Sequence, residues 1–232
     1  MNRSLFVLTA LLAFTTLRAQ TADDIINKYV AAIGGKDAVS NVKSLVITGS
    51  TSVMGQDGNT TITLVVGKGY KADRDFNGTK VINCITTTQG WAVNPYMGAA
   101  TPTAIPDEQL KGGQIQLQLD PLANYASLGY KVAFIGKDSA DYKVKLTTNG
   151  QDITYFINQK TNFLDKFTTT LSMGGQSIDI SISMADYQKI DGGLMYPHTI
   201  TSEYPGATLV DTFKQISVNS TVDPAVFTMP KQ

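Results

Sequence analysis

From Ser44 onward, apolar side chains return at every second position. In "QSIDISISM", Ile178, Ile180, Ile182 and Met184 alternate with Asp179, Ser181 and Ser183, and "TTITLVV", "YKVAFIG", "DYKVKLTT" and "DITYFIN" keep a similar rhythm with Ile, Val, Thr, Tyr and Phe. A period of two places one face of each segment against a core, so these segments are expected to be strands. Turn signals fall between them: Gln56-Asp57-Gly58-Asn59, Phe76-Asn77-Gly78, Asn149-Gly150, Gly174-Gly175, Asp191-Gly192-Gly193 and Pro205-Gly206. Short links of this kind join neighbouring antiparallel strands, which predicts a meander. A meander this long curls, and a curled sheet has a concave face that side chains, a helix or a ligand must fill.

Two stretches break the period. "TADDIINKYVAAIGG" sets Ile25, Ile26, Tyr29, Val30 and Ile33 on one stripe of a helix, with Thr21 as N-cap, Asp24 three residues on, and Gly34-Gly35 as the stop. "DEQLKGGQIQLQLDPLANYAS", from Asp107 to Ser127, has Asp107 and Glu108 after Pro106 and then Pro121 after Asp120, which predicts two short helical pieces inserted between strands. The expected order is helix, strands, helical insert, strands.

The first nineteen residues have a different character. Arg3, an apolar run from Leu5 to Phe14 and the small-residue ending Leu17-Arg18-Ala19 read as a signal peptide, with Gln20 where a lipid-modified cysteine would otherwise stand. Residues 1–19 are therefore expected to be removed and 20–232 to form a single domain, exported, unanchored and monomeric. The chain carries 19 basic and 19 acidic residues, and losing Arg3 and Arg18 leaves 17 basic (19 less two). No run of Lys or Arg is available to neutralise phosphates, so nucleic acid is not an expected partner. No stretch beyond the leader is apolar enough to span a bilayer. Cys84 stands alone in "KVINCITT" and reads as a buried strand residue, since a disulfide needs two thiols.

The stretch "GWAVNPYMG" holds the chain's one tryptophan, Trp91. Strand, turn and then "GWAVNP" resembles the tryptophan-and-Asn-Pro segment of LolA-like periplasmic carriers, and "VDPAVFTMP", Val222 to Pro230, is similar to their closing Asp-x-x-x-Phe-x-x-Pro element. "VKSLVITG", the opening helix with its Gly-Gly and "DYQKIDGGLMYPHTI" resemble a group of secreted bacterial proteins labelled outer-membrane lipoprotein-sorting-like. The resemblance implies an α+β fold, mostly antiparallel β: an unclosed half-barrel with an N-terminal helix and a helical insert over its apolar concave face. It also implies carriage of an acyl chain, lipid or acylated lipoprotein in the periplasm, with envelope proteins as partners. The carriers have an Arg-Pro pair at the junction matching "VVGKGYKA", where the arginine helps to hold the helical lid. This chain reads Gly67-Lys68-Gly69, and Lys68 offers a charge without the planar fork of donors.

Competing chemistry is sparse. The one histidine, His198, follows Tyr196-Pro197 and has no Cys or second His to share a metal. Asp23/Asp24 and Asp107/Glu108 read as helix first turns, while Asp73 and Asp75 flank Arg74, which reads as a solvated ion-pair residue. No Gly-x-Ser-x-Gly, phosphate loop or dinucleotide fingerprint occurs. Asn59, Asn77 and Asn219 start Asn-x-Ser/Thr triplets and mark loops. No catalytic residue, cofactor or metal is expected, with a hydrolase using Asp73 or His198 as the remotest reading and a packed protein-interaction module as the nearer one. Trp91 reads equally as core filler or pocket wall. Its neighbours Tyr96 and Met97 precede the insert, and this places it with them and with Leu110, Ile115, Leu117, Leu122 and Tyr125 as the expected ligand-binding set. Met97, Met173, Met184 and Met195 are flexible apolar groups suited to varied chains.

Overall fold

In the computed structural model, which describes residues 20–148, 151–173 and 176–231, the first element is α1, Ala22–Ala32. Thr21 Oγ1 accepts from the Asp24 amide at 3.1 Å and Asp24 Oδ2 accepts from the Thr21 amide at 3.2 Å, the reciprocal cap expected from Thr-x-x-Asp. The Gly-Gly does more than stop the helix. Gly34 takes φ +116°, and a Cβ there would stand 2.5 Å from the Gly193 carbonyl oxygen. The chain then restarts as α2, Gly35–Asn41, which buries Ala38 and Val39.

Six strands follow: β1 Ser44–Val53, β2 Gln56–Val65, β3 Gly69–Phe76, β4 Thr79–Thr86, β5 Gly90–Asn94 and β6 Ala99–Ala104. After the insert with α3, Asp107–Gly113, come β7 Lys131–Lys137, β8 Asp141–Thr148, β9 Gln151–Asn158, β10 Leu164–Met173, β11 Gln176–Lys189, β12 Met195–Tyr204 and β13 Ala207–Val218. All thirteen join one antiparallel sheet in the order β6-β5-β4-β3-β2-β1-β13-β12-β11-β10-β9-β8-β7. The two meanders meet where β1 pairs with β13, and β6 and β7 remain as edges, so the sheet is an unclosed half-barrel. The insert runs from one edge to the other.

Two sequence expectations need correction. The first hairpin turns at Met54-Gly55, both at positive φ (+49° and +78°), whereas Gln56 to Asn59 belong to β2. Gly58 marks a close strand approach, since its Cβ would stand 2.4 Å from the Asp75 carbonyl oxygen. Asn59 is thus a strand residue. In the insert, only the first helical piece forms: α3 runs on into a 3-10 turn, Gln114–Leu117, and residues 121–129 are successive turns. Asp120 Oδ1 accepts from the Ala123 amide and the Asn124 side chain donates to the Asp120 carbonyl, so side chains replace helical bonds there. The leader expected at 1–19, the turns Asn149-Gly150 and Gly174-Gly175 and the Met173 side chain lie outside the described residues.

The stripe Ile25, Ile26, Tyr29, Val30 and Ile33 lies in one core cluster with Leu45, Ile47, Ile62, Leu64, Val144, Leu146 and Ile157 from the concave side of the sheet. Full burial of one such aliphatic side chain stabilises by about 1.5–3 kcal/mol, enough to anchor the helix in the concavity.

Candidate functional site

The insert is tied down at one end of the sheet. Leu110 of α3 and Leu117 of the 3-10 turn pack with Ile85 of β4, and Gly113 passes so close that an added Cβ would meet Ile85 Cδ1 at 2.4 Å. Polar bonds complete the attachment: Gly67 N–H donates to the Leu117 carbonyl at 2.7 Å, Gln114 Nε2 to the Thr87 carbonyl at 2.9 Å, and Asn83 Nδ2 to Gln116 Oε1 at 3.3 Å. The junction where the carriers place an arginine thus grips the insert with the backbone amide of Gly67, which stands at φ +71°. A cleft of about 250 Å³ opens beside this attachment, lined by Gly67, Thr87, Lys111, Ile115, Leu117 and Tyr130 among others.

The second half of the insert plugs the concavity. Leu122 is fully buried in the main core, and Tyr125 donates to Asp23 Oδ1 at 2.6 Å. Tyr29 of α1 donates to Asp120 Oδ2, also at 2.6 Å. Burial pushes the Asp120 carboxyl up, against the Tyr29 and backbone hydrogen bonds that pull it down. Burial also pushes up the hydroxyls of Tyr29, Tyr70, Tyr155, Tyr187 and Tyr196, so the interior is walled by neutral phenols.

The expected ligand-binding set therefore divides. Leu110, Ile115 and Leu117 gather at the attached end of the insert, while Leu122 and Tyr125 sit in the plug. Tyr96 and Met97 stand exposed, 57% and 66%, on the rim between β5 and β6, where Tyr96 Oη donates to Gln56 Oε1 at 3.0 Å. Trp91 is 2% exposed and belongs to a separate cluster with Cys84, Val93 and Phe227. Its indole N–H donates to the Phe227 carbonyl at 2.9 Å, and Lys71 lies 5.6 Å from its ring centre. Strand alternation sets Cys84 and Ile85 on opposite faces of β4, so Trp91 lies under the C-terminal segment on the convex side, away from the insert.

Arg74 corrects a further expectation. It does not pair with its sequence neighbours in solvent: Asp73 forms ion pairs with Lys71 and Lys80 at 3.8 and 3.7 Å, and Asp75 caps the Gly78 amide. Arg74 instead makes a two-pronged pair with Asp211 of β13, Nε–Oδ1 3.1 Å and Nη2–Oδ2 2.6 Å, with side chains 16% and 3% exposed. Burial opposes the guanidinium charge, but the Asp211 bonds and charge outweigh it, and Arg74 holds its proton more tightly than usual. Asp211 was not singled out from the sequence. The available signal was parity, since Tyr70, Ala72, Arg74 and Phe76 share one face of β3.

Cys84 occupies the buried strand position expected of it, and burial pushes its thiol up to about 11. His198 is half-buried, its Nδ1 3.1 Å from the Tyr196 carbonyl. Among the described residues no group of three or more His, Cys, Asp or Glu is placed to hold a metal, and no helix is long and apolar enough to cross a membrane.

Comparison with solved structures places this architecture. A LolA superfamily protein from Nitrosomonas europaea matches 90% of this chain and 98% of its own, at 16% identity and a TM-score of 0.56. A putative outer membrane lipoprotein-sorting protein domain from Vibrio parahaemolyticus matches over 89% and 97%, at 12% identity and 0.58, and a DUF1329 family protein from Desulfovibrio piger over 90% and 98%, at 14% and 0.56. The fold is the open half-barrel of the LolA superfamily. No protein-family model matches the sequence, and no curated protein matches it.

Proposed function

We propose that this protein is a periplasmic carrier that takes an acyl chain or similar apolar ligand, a lipid or an acylated lipoprotein, into the concave face when the first half of the insert lifts. The observation that carries this reading is the attachment of the insert's first half, residues 107–117: one small apolar cluster and a few hydrogen bonds hold it beside a face lined with half-buried Tyr70, Met184, Met195 and Tyr196, while Leu122 and the Asp120 and Tyr125 hydrogen bonds keep the second half docked. So light a contact opens at low cost compared with the strand ladders around it. A carrier needs such a closure, because an apolar face left open in water invites aggregation. The leader-like residues 1–19 and the lipoprotein-sorting name of one structural neighbour support export and envelope partners.

The test is displacement of a fluorescent polyene fatty acid from delipidated protein. Probe emission is the signal, since Trp91 lies on the other face. Saturable binding is expected, tightening by up to about fourfold per methylene as about 0.8 kcal/mol of burial is gained. Leu117→Gln is expected to weaken binding at least fivefold while leaving the melting temperature within a few degrees. A folded, delipidated protein without saturable binding would move the assignment to the second reading, a protein-interaction module. That reading has its own observation: edge strand β7 exposes Phe134 and Ile135 beside an unpaired ladder.

A further inference from the structure

The geometry points to a polar subsite on the concave floor, built on Arg74, that receives the singly charged acid head group, a carboxylate above all, of an amphiphile whose chain runs toward the insert. This inference rests on the proposed carrier function and names its ligand class.

Four polar residues meet on the concave face of adjacent strands. Thr51 of β1 stands opposite Asp211 of β13, and Thr60 of β2 stands opposite Arg74 of β3. Both threonines are almost wholly buried, and neither Oγ1 has a hydrogen-bond partner among the described residues. Of the five N–H donors of the guanidinium, Asp211 takes two, and no described residue takes the other three. Apolar side chains at these positions would cost less than unpaired polar groups, so the cluster calls for something that completes it.

The surroundings suit an acid. Gly49 and Gly58 also face this side, opposite Thr60 and Thr51, and put no side chain between Arg74 and Asp211. The Arg74 side chain keeps 16% exposure, so it is not wholly sealed into the sheet. Tyr70 and Tyr204 lie near enough to interact with its charge, and phenol hydroxyls are further donors. Outside the expected leader the sequence has one arginine, and it is placed here. A planar fork held at one edge by Asp211 offers its other edge to a carboxylate in fixed orientation, which a lysine does not. Asp211 already neutralises the guanidinium, so a monoanion leaves one uncompensated charge on the site and a dianion two, and the monoanion is preferred. Arg74 lies about 16 Å along β3 from Gly69 at about 3.3 Å per residue, so a chain lying lengthwise reaches the insert end.

Competition between palmitic acid and its matched alcohol for the polyene probe tests this in the full-length, delipidated protein. The wild type is expected to bind the acid at least tenfold more tightly than the alcohol, and Arg74→Gln is expected to bring the two within about twofold. Because Arg74→Gln strands a buried Asp211, the double variant Arg74→Gln/Asp211→Asn keeps the shape without the charges and is measured beside it. Equal binding of acid and alcohol by the wild type, or an acid preference that survives in the double variant, overturns the head-group site while leaving the apolar carrier intact. Binding of neither ligand refutes the carrier and this subsite together.

Discussion

Cys84, Trp91 and Arg74 show how much one residue's role depends on which face of a strand it occupies. Cys84 and Trp91 are cross-strand partners, and both direct a polar hydrogen at the same Phe227 carbonyl, so the thiol is sealed beneath the C-terminal segment. Its raised pKa leaves almost no thiolate at neutral pH. A thiol reagent at pH 8 is therefore expected to label native protein at least a hundredfold more slowly than unfolded protein, with release of Phe227 as the expected route to access. Prompt native labelling would show that the C-terminal segment does not stay docked. Arg74 belongs to the opposite face, and its alternation with Tyr70, Ala72 and Phe76 was visible in the sequence. Its partner was not, because Asp211 lies 137 positions away and reaches it only through the pairing of β1 with β13.

Among the elements, alternation and capping were legible because both are local. The Thr21 cap, the α1 stripe and the Asn77-Gly78 turn at φ +54° and +92° follow from neighbouring residues alone. The Met54-Gly55 turn was missed because methionine is not a residue that favours positive φ, and Asp57-Gly58-Asn59 nearby supplied a stronger signal. One pair of loops carries a pH prediction. Asp141 at the start of β8 is buried, its Oδ1 lacks a partner, and burial with the nearby charges of Asp165 and Asp138 pushes its carboxyl up to about 6. A folded pKa above the unfolded value of about 3.9 means that the stability from this group is complete below about pH 4 and is lost as pH rises through about 6. Asp141→Asn is accordingly expected to stabilise the protein by about 1–2 kcal/mol at pH 7 and by almost nothing at pH 4, read as melting temperature at each pH. An equal change at both values would mean that the charge is not the cause.

At the scale of the whole molecule, thirteen strands form one ladder from two meanders, and the insert crosses between the edges that the ladder leaves open. The leader is a proposal at this scale too: intact mass of protein isolated from the producing cell is expected to begin at or within a few residues of Gln20, without a lipid adduct. A retained leader would remove the motive for a periplasmic role. The sequence by itself determined the strand class, the capped first helix, the position of the insert and the antiparallel sense of neighbouring strands, because each depends on contacts a few residues apart. The resemblance in "GWAVNP" and "VDPAVFTMP" pointed to the half-barrel, and these two segments turn out to pack on one another through Trp91 and Phe227. Only the tertiary structure decided which side of the sheet became the concavity. Period two says that one face is buried, but curvature and the docking of α1 and the C-terminal segment decide which cover each face receives. That choice set Trp91 apart from the insert, brought Arg74 to Asp211, and assigned the grip on Leu117 to the amide of Gly67, a group that every non-proline residue carries and no sequence pattern marks.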